Sequence, residues 1–139
     1  MAKLKVVGFE GIETSFEKLA PIPNDVTSDM LKAMGKVVED EIRKSAAQHS
    51  IPSGPMIASL YSKDPTIQSD GGKIVTTFKG SRHRGNTDTR EAEIAFLQNY
   101  GTSHQKSRQF ITDVRERNDP AIGQAGEKVL NAYLDKLGL

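Results

Sequence analysis

The residues best equipped for chemistry lie in one short run, "NYGTSHQKSRQFI", Asn99 to Ile111. Between Tyr100 and Arg108 it holds the hydroxyls of Thr102 and Ser103, the imidazole of His104 and the cations Lys106 and Arg108. A hydroxyl beside an imidazole is the raw material of nucleophilic catalysis, in which the ring takes the proton of the attacking oxygen. Adjacency along the chain is not triad geometry, however, and no serine here sits in a Gly-x-Ser-x-Gly elbow. The same residues make a helix end followed by a polar turn, which joins two pieces of a fold without doing chemistry.

Other reactive constellations are weaker. His49, His83 and His104 have no metal-ligand spacing and lie in no His-Glu-x-x-His frame, so each reads as an exposed polar residue. The glycines form no Gly-x-x-x-x-Gly-Lys phosphate loop. Glu39, Asp40 and Glu41 read as a solvated helix face. Arg82, His83 and Arg84 could touch phosphates, because a cation placed there releases counterions on binding. The stretch lacks interleaved aromatics, so base stacking is not indicated. Catalytic, cofactor and metal residues are therefore expected to be none.

The totals narrow the field further. The chain has 139 residues, with 36% hydrophobic residues and no tryptophan. That is one domain, spanning 1–139, with a modest and mostly aliphatic core. A net charge of +1 gives no global argument for nucleic acid or membrane. The only imbalance is central, with eight Lys/Arg against five Asp/Glu across 49–110. Without cysteine there is no disulfide and no thiolate site, which suits a cytosolic place of assembly. No apolar run approaches the ~20 residues that span a bilayer, and the apolar part of "MAKLKVVGFEG" is too short for a secretory signal.

The elements that must position these residues follow from periodicity. "LKVVGF" (Leu4–Phe9) reads as a strand or extended arm. "ETSFEKLA" (Glu13–Ala20) reads as a short helix stopped by Pro21 and Pro23. Residues 1–23 then form an N-terminal arm and short helix, and 24–139 the core. From Asp25 to Gln48, Val26, Met30, Met34, Val37, Val38, Ile42 and Ala46 recur every three or four residues, which predicts a long amphipathic helix capped by Asn24 or Asp25. "KIVTTFKG" reads as a strand with Ile74, Thr76 and Phe78 on one face, pairing with Ile57–Ile67 as an antiparallel hairpin. "GSRHRGNTDTR" has no apolar residue and reads as a mobile exposed loop. Asp88 and Glu91 resemble a capping box for a short helix whose apolar line is Ala92, Phe96 and Tyr100, ended by Gly101. After a break at Asn118–Pro120, a last helix runs to about Leu137 along Ile122, Ala125, Val129, Tyr133 and Leu137, weakened by Gly123 and Gly126. The fold class is α+β: a long helix and a C-terminal helix packed on a small antiparallel sheet, with a short helix before the Gly-Thr turn.

Several short motifs follow one another in this frame. After the long helix comes "IPSGPMIASL", with Pro52, Ser53, Gly54 and Ser59. A strand and a variable loop lead to "AFLQNYGTS", then to "SRQFI" and a closing helix. This order resembles the small neck or tail-completion proteins of long-tailed bacteriophages, also called minor tail components or head–tail joining proteins. The resemblance covers most of the chain. It departs at Gln109, where a proline is common, and at Met56-Ile57, in place of a simple Gly-x-Leu.

The resemblance implies a structural virion protein that is not an enzyme and takes no cofactor. Such proteins form a homo-oligomeric ring, generally sixfold, between the head connector or stopper and the tail tube or tail terminator. DNA is a partner only as it passes through the channel, and no membrane is involved. The place implied is the virion tail or neck, and the host cytoplasm during assembly. Arg82, His83, Arg84, Tyr100, Thr102 and Arg108 are the candidate contacts to a neighbouring subunit, a partner or the DNA. Two alternatives stand beside this: a tail terminator that caps the tube, and a small nucleic-acid-binding regulator.

Overall fold

The computed structural model describes residues 2–18, 22–51, 54–84 and 86–138, with the side chain of Arg84 outside that description. The fold is α+β, as the periodicities predict. Strands β1 (Lys3–Val7), β2 (Gly11–Glu17), β3 (Leu60–Ser62), β4 (Thr66–Gln68) and β5 (Gly71–Phe78) form one antiparallel sheet. The order is β1-β2-β5, and β3 and β4 share the far edge of β5. Helix α1 (Asn24–Gln48) crosses one face of the sheet. The single-turn helix α2 (Pro55–Ala58) precedes β3. A separate hairpin, β6 (Ser81–Arg84) with β7 (Thr87–Arg90), leads to α3 (Glu91–Tyr100), α4 (Phe110–Arg117) and α5 (Pro120–Lys136).

The N-terminal segment corrects the expectation of an arm and a short helix. Gly11–Glu17 is a strand, paired with β1 on one side and with the central strand β5 on the other. Ile12, Thr14 and Phe16 alternate inward and Glu13, Ser15 and Glu17 outward, a period of two that overrides the helix propensity of Glu and Phe. Of the two prolines invoked as the stop, Pro21 lies outside the described residues and Pro23 is the N-cap of α1. Ile57 belongs to α2 rather than to a strand, with Pro55 opening that turn and the Ser59 hydroxyl donating to the Met56 carbonyl.

Helix α1 is buried on two sides. Met30 and Met34 meet α5, while Leu31, Val38 and Ile42 join the same core. A Cβ on Gly126 would lie 2.8 Å from the Met34 sulfur, so this glycine lets α5 approach α1 closely, whatever it costs in helix propensity. No side chain caps α1. Asn24 is its first helical residue, one position too late to act as N-cap, and the cap is Pro23. Glu41 corrects the picture of a solvated acidic face: it is buried, with Lys44 3.9 Å away. Glu39 accepts a hydrogen bond from the Ser62 hydroxyl, and Asp40 stays exposed beside Arg43.

One buried group is at odds with its surroundings. Glu10 closes the β1–β2 turn with a positive φ of 35° and is 1% exposed. Its backbone carbonyl accepts from the Thr77 hydroxyl, yet neither carboxylate oxygen has a hydrogen-bond partner among the described residues. Burial pushes its carboxyl from 4.5 up to about 7. Between those values the folded chain holds a proton that the unfolded chain has lost, so stability falls as pH rises. The fall should total about 3 kcal/mol between pH 4.5 and 7 and level off above that range. Urea unfolding across pH 4.5–8 should show this fall for the native chain and a profile smaller by about that amount for Glu10→Gln.

Candidate functional site

The run that opens the question of chemistry is held as a clasp. Asn99 is fully buried at the end of α3. Its Oδ1 accepts from the backbone N–H groups of Ile111 (2.9 Å) and Thr112 (3.0 Å), and its Nδ2 donates to the Thr112 hydroxyl (2.9 Å). One side chain of α3 thus satisfies two of the orphan donors at the start of α4. The Asn99 carbonyl accepts from the Ser107 hydroxyl (2.6 Å) and from Gln109 N–H (2.9 Å). Gly101 ends α3 at φ 83°, and a Cβ there would lie 2.6 Å from the Ser107 nitrogen, so only glycine lets the loop close. The Ser45 hydroxyl donates to the Phe110 carbonyl (2.7 Å) and ties the clasp to α1.

Within the clasp Thr102 makes a turn. Its hydroxyl accepts from the His104 backbone N–H (3.1 Å), not from the imidazole, and its own N–H donates to the Gln105 carbonyl (2.8 Å). His104 is exposed. Arg108 reaches back to the Ser50 carbonyl at the end of α1 (3.1 Å). His49 is half-buried and paired with Asp113 of α4, which corrects its reading as an exposed residue. No group of three metal-ligating side chains comes together among the described residues.

The supposed mobile loop is the β6–β7 hairpin, in register from Ser81↔Arg90 to Arg84↔Thr87. The Gly85-Asn86 pair between the strands is a two-residue hairpin signal, but no apolar residue marks its flanks. Its base is locked by Arg82, whose Nε and Nη2 each donate to one oxygen of the buried Glu91 carboxylate at 2.8 Å. That carboxylate also raises the Arg82 pKa. Arg82 is therefore committed within the chain. The capping box is corrected as well: Asp88 lies in β7 beside His83 (3.0 Å), Glu91 faces Arg82, and the N-cap of α3 is Arg90.

Helix α3 is rotated from the expected line. Ala92, Ala95 and Asn99 face inward, while Tyr100 (48% exposed) and Leu97 (38%) face out. Small alanines let the helix lie close, and the bulkier rings take the outside. Phe96 lies 4.9 Å from Tyr100 and 5.8 Å, edge-on, from Phe9, itself 47% exposed. The result is a contiguous aromatic surface beside the open sheet face. Next to it runs a groove of about 440 Å³, floored by Val7, Val75 and Thr77 and walled by Phe9, Tyr61 and Ala92. The charged residues lining it are Lys63, Lys79 and Arg90.

Of the six sequence-derived contacts, Arg82 and His83 share the hairpin and Arg84 follows them in β6. Tyr100 joins the aromatic surface, and Thr102 and Arg108 belong to the clasp. They do not form one site. Tyr61 and Asn99 were not singled out by sequence, and Phe9 entered only as the end of the Leu4–Phe9 strand or arm. Their only signal is an aromatic next to a turn glycine, one within a short strand, and a short amide two residues before a helix-ending glycine.

Two tests follow. Asn99→Ala removes the shared cap of α4 and should cost about 2–4 kcal/mol in urea unfolding. Arg82→Ala and Glu91→Ala should each lower the urea midpoint, and the double variant should lose less than the two losses summed, because the second change removes a charge already left unpaired.

Comparison of the chain with family models, with curated proteins and with solved structures finds no match, so the site stands on its own geometry.

Proposed function

We propose that this chain is a structural component of a tailed-phage neck, a tail-completion or head–tail joining protein that assembles as a sixfold ring between head connector and tail tube. The observation that carries the reading is the exposed surface of Phe9, Leu97 and Tyr100, with the half-buried Phe96 ring joining the two exposed rings. Contiguous exposed aromatics of this kind mark a contact surface. A ring needs one patch that meets a different patch on the next subunit. The projecting β6–β7 hairpin, built without an apolar residue, supplies a second surface of opposite character.

The resemblance in motif order supports the same reading. "NYGT" ends α3 and begins the clasp, and Gly54 and Ser59 bracket α2. Pro52 and Ser53 of that motif lie outside the described residues. Thr102 and Arg108 serve the clasp, so partner contact falls to Tyr100 and the hairpin. A DNA-channel role for Arg82 gives way to its pairing with Glu91, and charge reversal is best placed at Arg84 alone. The tail-terminator role, with the tail tube as partner, draws on the same surfaces.

Electron microscopy of a lysate from phage with an early stop codon in this gene tests the reading. Full heads beside unattached tails of normal length are expected. Overlong tails would assign the terminator role instead, and normal infectious particles would sink both. Phe9→Ser with Tyr100→Ser should reproduce the stop-codon particles while the purified chain keeps its urea midpoint, since both side chains are about half exposed.

A further inference from the structure

The geometry points to a single-stranded nucleic-acid site on the open face of the sheet, in the groove between Tyr61, Phe9 and the cations Lys63, Lys79 and Arg90. Helix α1 covers the inward face, where Ile12, Thr14, Phe16, Ile74, Thr76 and Phe78 are buried. The opposite face carries Glu13, Ser15, Lys73 and Val75, all partly exposed. Strand pairing puts Lys3 beside Ser15 and Lys73, and Lys5 beside Glu13 and Val75, so these lysines share that face. The Lys63 N–H donates to the Val75 carbonyl, which places Lys63 alongside.

Charge selects the ligand. No carboxylate lines the groove among the described residues. Lys63 and Lys79 have no acidic partner there either, whereas Lys3 meets Glu17 at 4.0 Å and Arg90 meets Glu93 at 3.3 Å. Lys79 instead lies 5.3 Å from the Tyr61 ring centre, and the Arg90 guanidinium 4.8 Å from that of Phe9. Lys79 resting on the Tyr61 ring, with no carboxylate paired to it among the described residues, suits a ligand that is both anionic and flat. The floor of Val7, Val75 and Thr77 offers two apolar side chains against which a planar base can rest. From Val75 to Lys79 the groove runs about 13 Å along β5, room for about two bases of a single strand. An acidic peptide would satisfy the cations but would leave the apolar floor and the Tyr61 ring without a flat partner.

This inference is independent of the neck reading, and its test uses the free chain. Anisotropy of fluorescein-labelled dT15 is titrated with protein at 50–300 mM salt. Binding is expected with a log–log salt slope near −2, from three cations at ~0.7 each. An abasic strand of equal length should bind about tenfold more weakly, and Tyr61→Ala should lose about tenfold at unchanged slope. Lys63→Gln with Lys79→Gln should cut the slope to about one third, with the urea midpoint retained as the check on folding. Absence of dT15 binding at 50 mM salt would overturn the proposal. So would an abasic strand binding as tightly as dT15, which would leave only phosphate attraction, or polyglutamate doing so, which would make the groove a docking face for acidic peptides.

Discussion

Helix α1 has to satisfy two neighbours at once, and the remaining elements are arranged by that demand. The sheet lies against one side of it and α5 and α4 against the other, so its buried residues wrap beyond a single stripe. Close packing on both sides depends on small contacts. Gly126 removes the side chain that would meet Met34, and the Ser45 hydroxyl takes the Phe110 carbonyl where α4 begins. With its inward face used up by α1, the sheet has no second helical layer. Its outer face is left to solvent and to whatever the groove receives.

The same economy decides what α3 shows. A helix anchored by Ala92, Ala95 and a hydrogen-bonded Asn99 sits too near the core for rings to fit beneath it. Phe96 and Tyr100 turn outward and collect Phe9 from the β1–β2 turn. Aromatic surface is thus a by-product of how the clasp is tied, and it lies next to the groove where Lys63 and Lys79 have no acidic partner among the described residues.

Much of the architecture was legible in the residues. The α1 stripe, the alternation of Ile74, Thr76 and Phe78, the Gly101 stop and the break before Pro120 each rest on a local rule with little competition. The failures share a cause. Glu13–Glu17 looks helical by composition, and its pairing with β5 is set by residues more than fifty positions away. The β6–β7 hairpin carries no apolar pattern because it buries almost nothing and is held by its strand pairing and by polar contacts such as Arg82–Glu91 and His83–Asp88. The rotation of α3 could not be read from its apolar line, since Ala92–Phe96–Tyr100 and Ala92–Ala95–Asn99 are both helical periods. What chose between them was the unmet backbone of α4, which is invisible in the spacing of α3. For the same reason the groove was hidden: Phe9, Tyr61 and Arg90 come from distant segments.

The pairing of β2 with β5 has a consequence for how the chain is made. Glu17 faces Gly71 across the sheet, so the β1–β2 hairpin emerges from the ribosome well before its partner strand. At roughly 5–20 residues per second the wait is several seconds. A two-stranded hairpin is barely stable alone and has an unsatisfied edge along β2. During that interval Lys3, Lys5, Glu13 and Glu17 keep the outward side of the nascent ribbon charged, while Ile12 and Phe16 wait for α1. The charges that leave one face of the finished sheet open to solvent thus also guard the growing chain against pairing with its neighbours on the same message.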